Sequence, residues 1–175
     1  SGEHAFQESA MVVEMLEELL EAGFPPQTAV QMMNTALVAG REELCFSTVD
    51  MCIFDLYQGS CELMKAGAST TFIRSSAGVE KISSATLPVG VLQELEIQRT
   101  SRQLGDGDFV IMVTDGVLDA LPVGNQEAML SALIGGSSIN NPGELAHYLL
   151  EQVLEMSGEV PADDMTVLAV GIWKV

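Results

Sequence analysis

A chain of 175 residues, 47% of them hydrophobic and with a mean hydropathy of +0.28, has enough apolar surface for a sizeable core, which excludes wholesale disorder. Seven Lys and Arg against 25 Asp and Glu give a net charge of −18, and phosphate binding rests on basic residues, so nucleic acid is excluded as a partner. No apolar run approaches the roughly 20 residues of a membrane span, and "SGEHAFQES" lacks the basic-then-apolar pattern of a signal peptide, so a cytoplasmic segment is expected.

From the N-terminus, Val12, Met15, Leu16, Leu19 and Leu20 recur at i, i+3, i+4, i+7 and i+8, with Glu14, Glu17, Glu18 and Glu21 on other faces. That period predicts a helix, which Gly23 stops and Pro25-Pro26 keeps from continuing. A second helix is predicted over roughly Pro26 to Ala39, with Val30, Met33 and Leu37 on one stripe and Gly40 closing it. Residues 1–40 are therefore expected to form a helix hairpin with an acidic flank, and 41–175 a sheet core with C-terminal helices.

The period then changes to two. In "FSTVDMCIFDLYQGSCELMKAG", Val49, Met51 and Ile53 share one predicted face and Thr48, Asp50, Cys52 and Phe54 the other. The turn Tyr57-Gln58-Gly59-Ser60 makes this a hairpin, with Cys61 to Ala66 returning. "TTFIRSSAGVEKI" reads as another strand pair around Ser76 to Gly78, "LPVG" as a loop, and "ELEIQRTSRQL" as a further strand. Gly105-Asp106-Gly107-Asp108 turns the chain into the apolar strand "FVIMV". Two helices follow, Gln126 to Leu133 and Gly143 to Met156, the latter with Leu145, Tyr148, Leu149 and Val153 inward; a closing strand runs from Met165 to Val175. Helix pair, antiparallel strands, helix pair, strand is an α+β layered order, without the βα alternation of a parallel sheet.

Cys45, Cys52 and Cys61 sit in or beside strand-like segments. With no CxxC and two histidines, His4 and His147, they argue for buried reduced thiols and against a zinc site. The acidic residues are more informative. Asp115 stands where the apolar strand ends, and Asp163 and Asp164 stand where the last strand begins. If those strands are antiparallel neighbours, the carboxylates meet at one rim of a sheet. Like charges a few ångströms apart repel by about 1 kcal/mol in water, a cost that a hard divalent cation with oxygen ligands removes. Spacing leaves two readings open: Asp115 starts a turn and Asp163 caps one, or the pair holds a cation.

The strings "FSTVDMCIFDL", "KAGAS", "LPVG", "GDGDFVIMVTDGVLDA" and "DDMTVLAV", in that order, resemble the metal-dependent Ser/Thr protein phosphatases, the PPM or type 2C family. The likeness is strongest to the bacterial branch of the sporulation stage II protein E phosphatases, and it covers nearly the whole chain. It implies an α-β-β-α sandwich of two antiparallel sheets with flanking helices. It also implies a two-metal centre holding Mn²⁺ or Mg²⁺, with Asp115 and Asp163 as metal ligands. Asp164 takes the position beside the second ligand and is not counted as one, while Thr48, Asp50, Gly67, Gly90 and Gly116 match architectural positions.

By the same resemblance the bridging ligand belongs to an upstream "D-G-M-G-x-G" motif, of which Ser1-Gly2, Ala5 and Ser9 look like the continuation. The expectation is a segment without that aspartate and without the first strand of each sheet, hence nearly inactive by itself. The implied activity of an intact parent is hydrolysis of phosphoserine or phosphothreonine on a partner protein, an anti-sigma-factor antagonist, in sporulation or stress signalling. The helix pair would be its regulatory switch. A membrane anchor elsewhere in the parent and a homodimer are compatible with all this. The alternative is a non-catalytic interaction module on a phosphatase-like fold.

Overall fold

The computed structural model describes residues 2–40, 46–158 and 163–173. In chain order the elements are α1 (Gly2–Glu21), α2 (Pro26–Ala39), β1 (Val49–Asp55), β2 (Ser60–Ala66), β3 (Thr71–Ser75), β4 (Gly78–Ile82), β5 (Gln98–Gln103) and β6 (Phe109–Val113). They continue with α3 (Asp115–Asp119), α4 (Gln126–Gly136), α5 (Pro142–Ser157) and β7 (Val167–Gly171). The strands make two antiparallel sheets, one ordered β1-β2-β5 and the other β4-β3-β6-β7, with helices flanking them, which is the expected α+β class. The chain divides into two compact units: Ser1–Cys52 with Leu63–Ala68 and Ser84–Thr100, and Ile53–Glu62 with Ser69–Ser83 and Ser101–Val175.

In the first unit α1 and α2 form the expected hairpin. Pro26 starts α2, where its missing N–H is not needed. Val12, Val30, Met33 and Leu37 are buried against Val49, Ala66 and Val89. The stripe on α2 also contains Asn34, only 1% exposed. Its Oδ1 accepts the Gly90 N–H at 2.8 Å, and its Nδ2 donates to the carbonyls of Leu92 and Gln93 at 2.9 and 3.3 Å. One buried amide thus ties the helix to the "LPVG" loop and the residues just after it. That loop also fixes Gly67: φ is +66°, and an added Cβ would stand 2.7 Å from the Pro88 backbone nitrogen, so no other residue fits. Lys65, 1% exposed, is held by Asp50 at 2.6 Å.

Patterning on the strands is uneven. β5 alternates between half-buried and exposed residues as predicted. β1 does not: Val49 is buried and the other six residues are all half-buried, although β1 and β5 are the two edge strands of the same sheet. Cys61 is buried and Cys52 half-buried; Cys45 lies outside the described residues.

The second unit is built on the four-stranded sheet. Leu130 and Ile134 of α4, and Leu145, Leu149 and Val153 of α5, are fully buried with Phe72, Phe109 and Ile111 of the sheet. The Asn141 side chain caps α5 by accepting the Glu144 N–H at 3.0 Å. Arg74 of β3 lies 4.2 Å over the Phe109 ring and donates to the carbonyls of Ser137 and Ile139. Glu127, in the first turn of α4, accepts from the Thr70 hydroxyl at 2.5 Å and pairs with Lys81 of β4 at 3.1 Å. His147 lies on the exposed flank of α5, 3.0 Å from Glu151. The side chain of His4 lies outside those described.

Candidate metal centre

β6 is apolar throughout because it is covered on both sides: Phe109, Val110 and Ile111 are fully buried, and the strand runs between β3 and β7. β7 is antiparallel to it, with Phe109 opposite Gly171 and Val113 opposite Val167. The end of β6 therefore adjoins the start of β7, and the chain segments carrying Asp115 and Asp163 share one edge of the sheet.

Pairing extends one residue past the named strands. The Thr114 N–H donates to the Thr166 carbonyl at 3.1 Å, and the Thr166 N–H donates to Thr114 Oγ1 at 2.9 Å. That hydroxyl lies 3.4 Å from the Asp164 carbonyl oxygen, to which it donates. Gly116 follows. A Cβ there would overlap the Asp164 carbonyl oxygen and come within 3.1 Å of its carbon and 3.5 Å of the Asp163 carbonyl carbon. Only a residue without a side chain lets the two backbones run this close.

Asp115 is the first residue of α3, a five-residue helix that the sequence patterning missed. It is too short to show a 3.6-residue period, and it is held by Val117 and, just beyond it, Leu121, both buried. The available signal was the Thr-Asp pair at a strand end, a helix-start pattern. Asp115 Oδ1 accepts the Gly116 N–H at 3.1 Å, and Asp163 Oδ1 accepts the Asp164 N–H at 2.8 Å. Each exposed carboxylate is thus oriented by its own chain through one oxygen.

The donor set is oxygen only and faces solvent, which fits a hard divalent ion, Mn²⁺ or Mg²⁺, that keeps several waters. Asp164 enters the arrangement through its main-chain carbonyl, which accepts from the Thr114 hydroxyl and faces Gly116. Among the described residues no group of three or more His, Cys, Asp and Glu is placed to hold a metal ion; what the fold brings together is the two chain segments that carry Asp115 and Asp163.

The profile of the family described as Stage II sporulation protein E (SpoIIE) matches residues 1–173. The stage II sporulation protein E of Bacillus subtilis (strain 168) is 32% identical over 173 residues, covering 98% of this chain and 21% of that protein. This chain therefore spans about a fifth of that relative's length. The solved PP2C phosphatase domain with a fragment of the regulatory domain of the cell fate determinant SpoIIE from B. subtilis matches with a TM-score of 0.90 at 32% identity, over 98% of this chain and 51% of that one. The phosphatase domain of the same protein, presoaked with Mn, matches with a TM-score of 0.70 at 30% identity, over 93% of this chain and 73% of that one.

Proposed function

Since this chain belongs to the Stage II sporulation protein E family and shares the fold of a PP2C phosphatase domain, we propose that it is part of a divalent-cation-dependent phosphatase acting on phosphoserine or phosphothreonine in a partner protein. The observation that carries the reading is the close approach of Gly116 to the Asp163-Asp164 backbone, which puts two carboxylate-bearing segments side by side at the β6–β7 edge. Asp115 and Asp163 would hold one cation, Mn²⁺ or Mg²⁺. When bound, such ions supply Lewis acidity: a nucleophilic water at neutral pH and neutralisation of the phosphoryl oxygens. The chain's own part is to fix the two carboxylates, Asp115 at the start of α3 and Asp163 ahead of β7, each oriented by its neighbour's amide.

Two carboxylates are an incomplete donor set for a two-metal centre, so residues 1–175 alone are expected to turn over a phosphoserine substrate slowly or not at all. The substrate class that fits the family is a small phosphorylated anti-sigma-factor antagonist. The hairpin of α1 and α2 serves as a regulatory element. Replacing its core residue Met33 by Ala in the full-length protein should change activity by more than the change in folded fraction, read by circular dichroism, explains. Activity that follows the folded fraction alone would end the switch idea.

The test of the catalytic reading is Asp115→Asn and Asp163→Asn in the full-length protein, assayed on a phosphoserine protein with Mn²⁺. Each should lower kcat by at least about a hundredfold, the scale of losing a charge-stabilising group, with the melting temperature little changed. Retained activity in either variant would contradict the proposed ligand role, and an inactive full-length parent would favour an interaction module.

A further inference from the structure

Resting on the metal reading above, we propose that Thr114 is a positioning residue for the metal centre, its hydroxyl standing in for a main-chain carbonyl so that Asp115 can leave the sheet beside Asp163. Thr114 and Thr166 face each other where β6 and β7 would continue. In a regular antiparallel pair of this kind each residue's N–H donates to the other's carbonyl. Here only half of that exchange is made by the backbone, the Thr114 N–H donating to the Thr166 carbonyl at 3.1 Å. The return bond, from the Thr166 N–H, goes instead to Thr114 Oγ1 at 2.9 Å. The Thr114 carbonyl is turned the other way and accepts the Val117 N–H at 3.1 Å, the first bond of α3.

Thr114 thus serves two structures at once: its hydroxyl closes the ladder while its carbonyl opens the helix. It occupies the N-cap position of α3 but makes no side-chain cap bond, although capping is the usual work of a threonine there. The same hydroxyl, with one proton and two lone pairs, also donates toward the Asp164 carbonyl at 3.4 Å, the weaker of its two bonds. The result is a sharp exit from β6 with Asp115 as the next residue, held in register against the segment that carries Asp163. Outer groups that orient metal ligands typically contribute about 10–100-fold to affinity.

The test compares Thr114→Val, which keeps the shape and deletes the hydroxyl, with Thr114→Ser, which keeps the hydroxyl, in the full-length protein. Mn²⁺ affinity is read by electron paramagnetic resonance titration, the Thr166 amide by hydrogen exchange, and folding by circular dichroism. Thr114→Val should weaken Mn²⁺ binding about tenfold and speed exchange at Thr166, while Thr114→Ser stays within about threefold of the parent. A folded Thr114→Val that binds Mn²⁺ like the parent overturns the proposal. So does a Thr114→Ser as weak as Thr114→Val, and this second comparison stands even if Thr114→Val does not fold, because a Thr114→Ser that loses Mn²⁺ affinity would assign the role to the methyl group. Asp115→Asn separates the two claims. If it binds Mn²⁺ as the parent does, the metal reading fails and the positioning role with it; if it loses Mn²⁺ while Thr114→Val does not, the positioning role alone fails.

Discussion

A methyl group placed on Gly116 would overlap the carbonyl oxygen of Asp164; the Cβ is fixed by its own backbone and the oxygen is main chain, so neither can rotate away. Gly116→Ala must therefore push α3 from the start of β7. The expected cost is about 1–3 kcal/mol of stability, the usual scale of overpacking, with a loss of Mn²⁺ affinity in the full-length protein. Gly136 is the matched control: it ends α4 and a Cβ there meets nothing within 4 Å. Urea denaturation and Mn²⁺ titration of the two variants check this. Equal behaviour of Gly116→Ala and Gly136→Ala would show that the approach of the two backbones does not matter. At this scale the sequence was readable for residue type and blind to partner. The TDG string marks Asp115 and Gly116 as unusual at a strand end, but that Gly116 faces Asp164, and that the Thr114 hydroxyl replaces a carbonyl, depends on a segment about fifty residues away.

Elements carry a second kind of prediction. Glu127 joins the first turn of α4 to the sheet through Thr70, Ser83 and Lys81. The Thr70 hydroxyl, more than the Lys81 ammonium or the Ser83 hydroxyl, holds its carboxyl below the ordinary carboxylate range, against the opposing effect of burial. A carboxyl depressed on folding contributes stability that is present above its unfolded pKa and lost as pH falls through the folded value. Stability should thus fall on the acid side as Glu127 takes up its proton, and Glu127→Gln should flatten part of that fall. The effect is modest because the group is 38% exposed and screened by water. Urea midpoints measured between pH 7 and pH 3 read it; an unchanged acid limb in Glu127→Gln would remove Glu127 from the account.

Element boundaries were legible where punctuation is strong. Pro25-Pro26 and Gly40 bracket α2, and the observed Pro26–Ala39 is the predicted span. Strand alternation was legible on β5 and not on β1, whose residues after Val49 are all half-buried, so no face stands out. α3 was not legible, being defined by one hydroxyl and two buried anchors instead of by a period. On β7 the expected Met165–Val175 contracts to Val167–Gly171, with residues 174–175 outside the described part.

For the whole molecule, a net charge of −18 raises the local concentration of divalent cations and disfavours anionic macromolecules. It does not choose between a solvated acidic surface and a metal site. The metal reading is proposed on other grounds: the order β4-β3-β6-β7 brings the end of one strand to the start of another, and the chain belongs to the Stage II sporulation protein E family. Composition alone reached a packed chain, and the order of helical and alternating periods made it α+β. The motif order reached the fold and named the two acids, and the register between β6 and β7 then joined their chain segments.

Where a cation binds is the most direct test of the Asp115–Asp163 site. Anomalous diffraction at the manganese edge from crystals of the full-length protein soaked in Mn²⁺ should show a peak within about 2.0–2.5 Å of carboxylate oxygens of both Asp115 and Asp163. A manganese peak that touches neither residue, or only one of them, would contradict it.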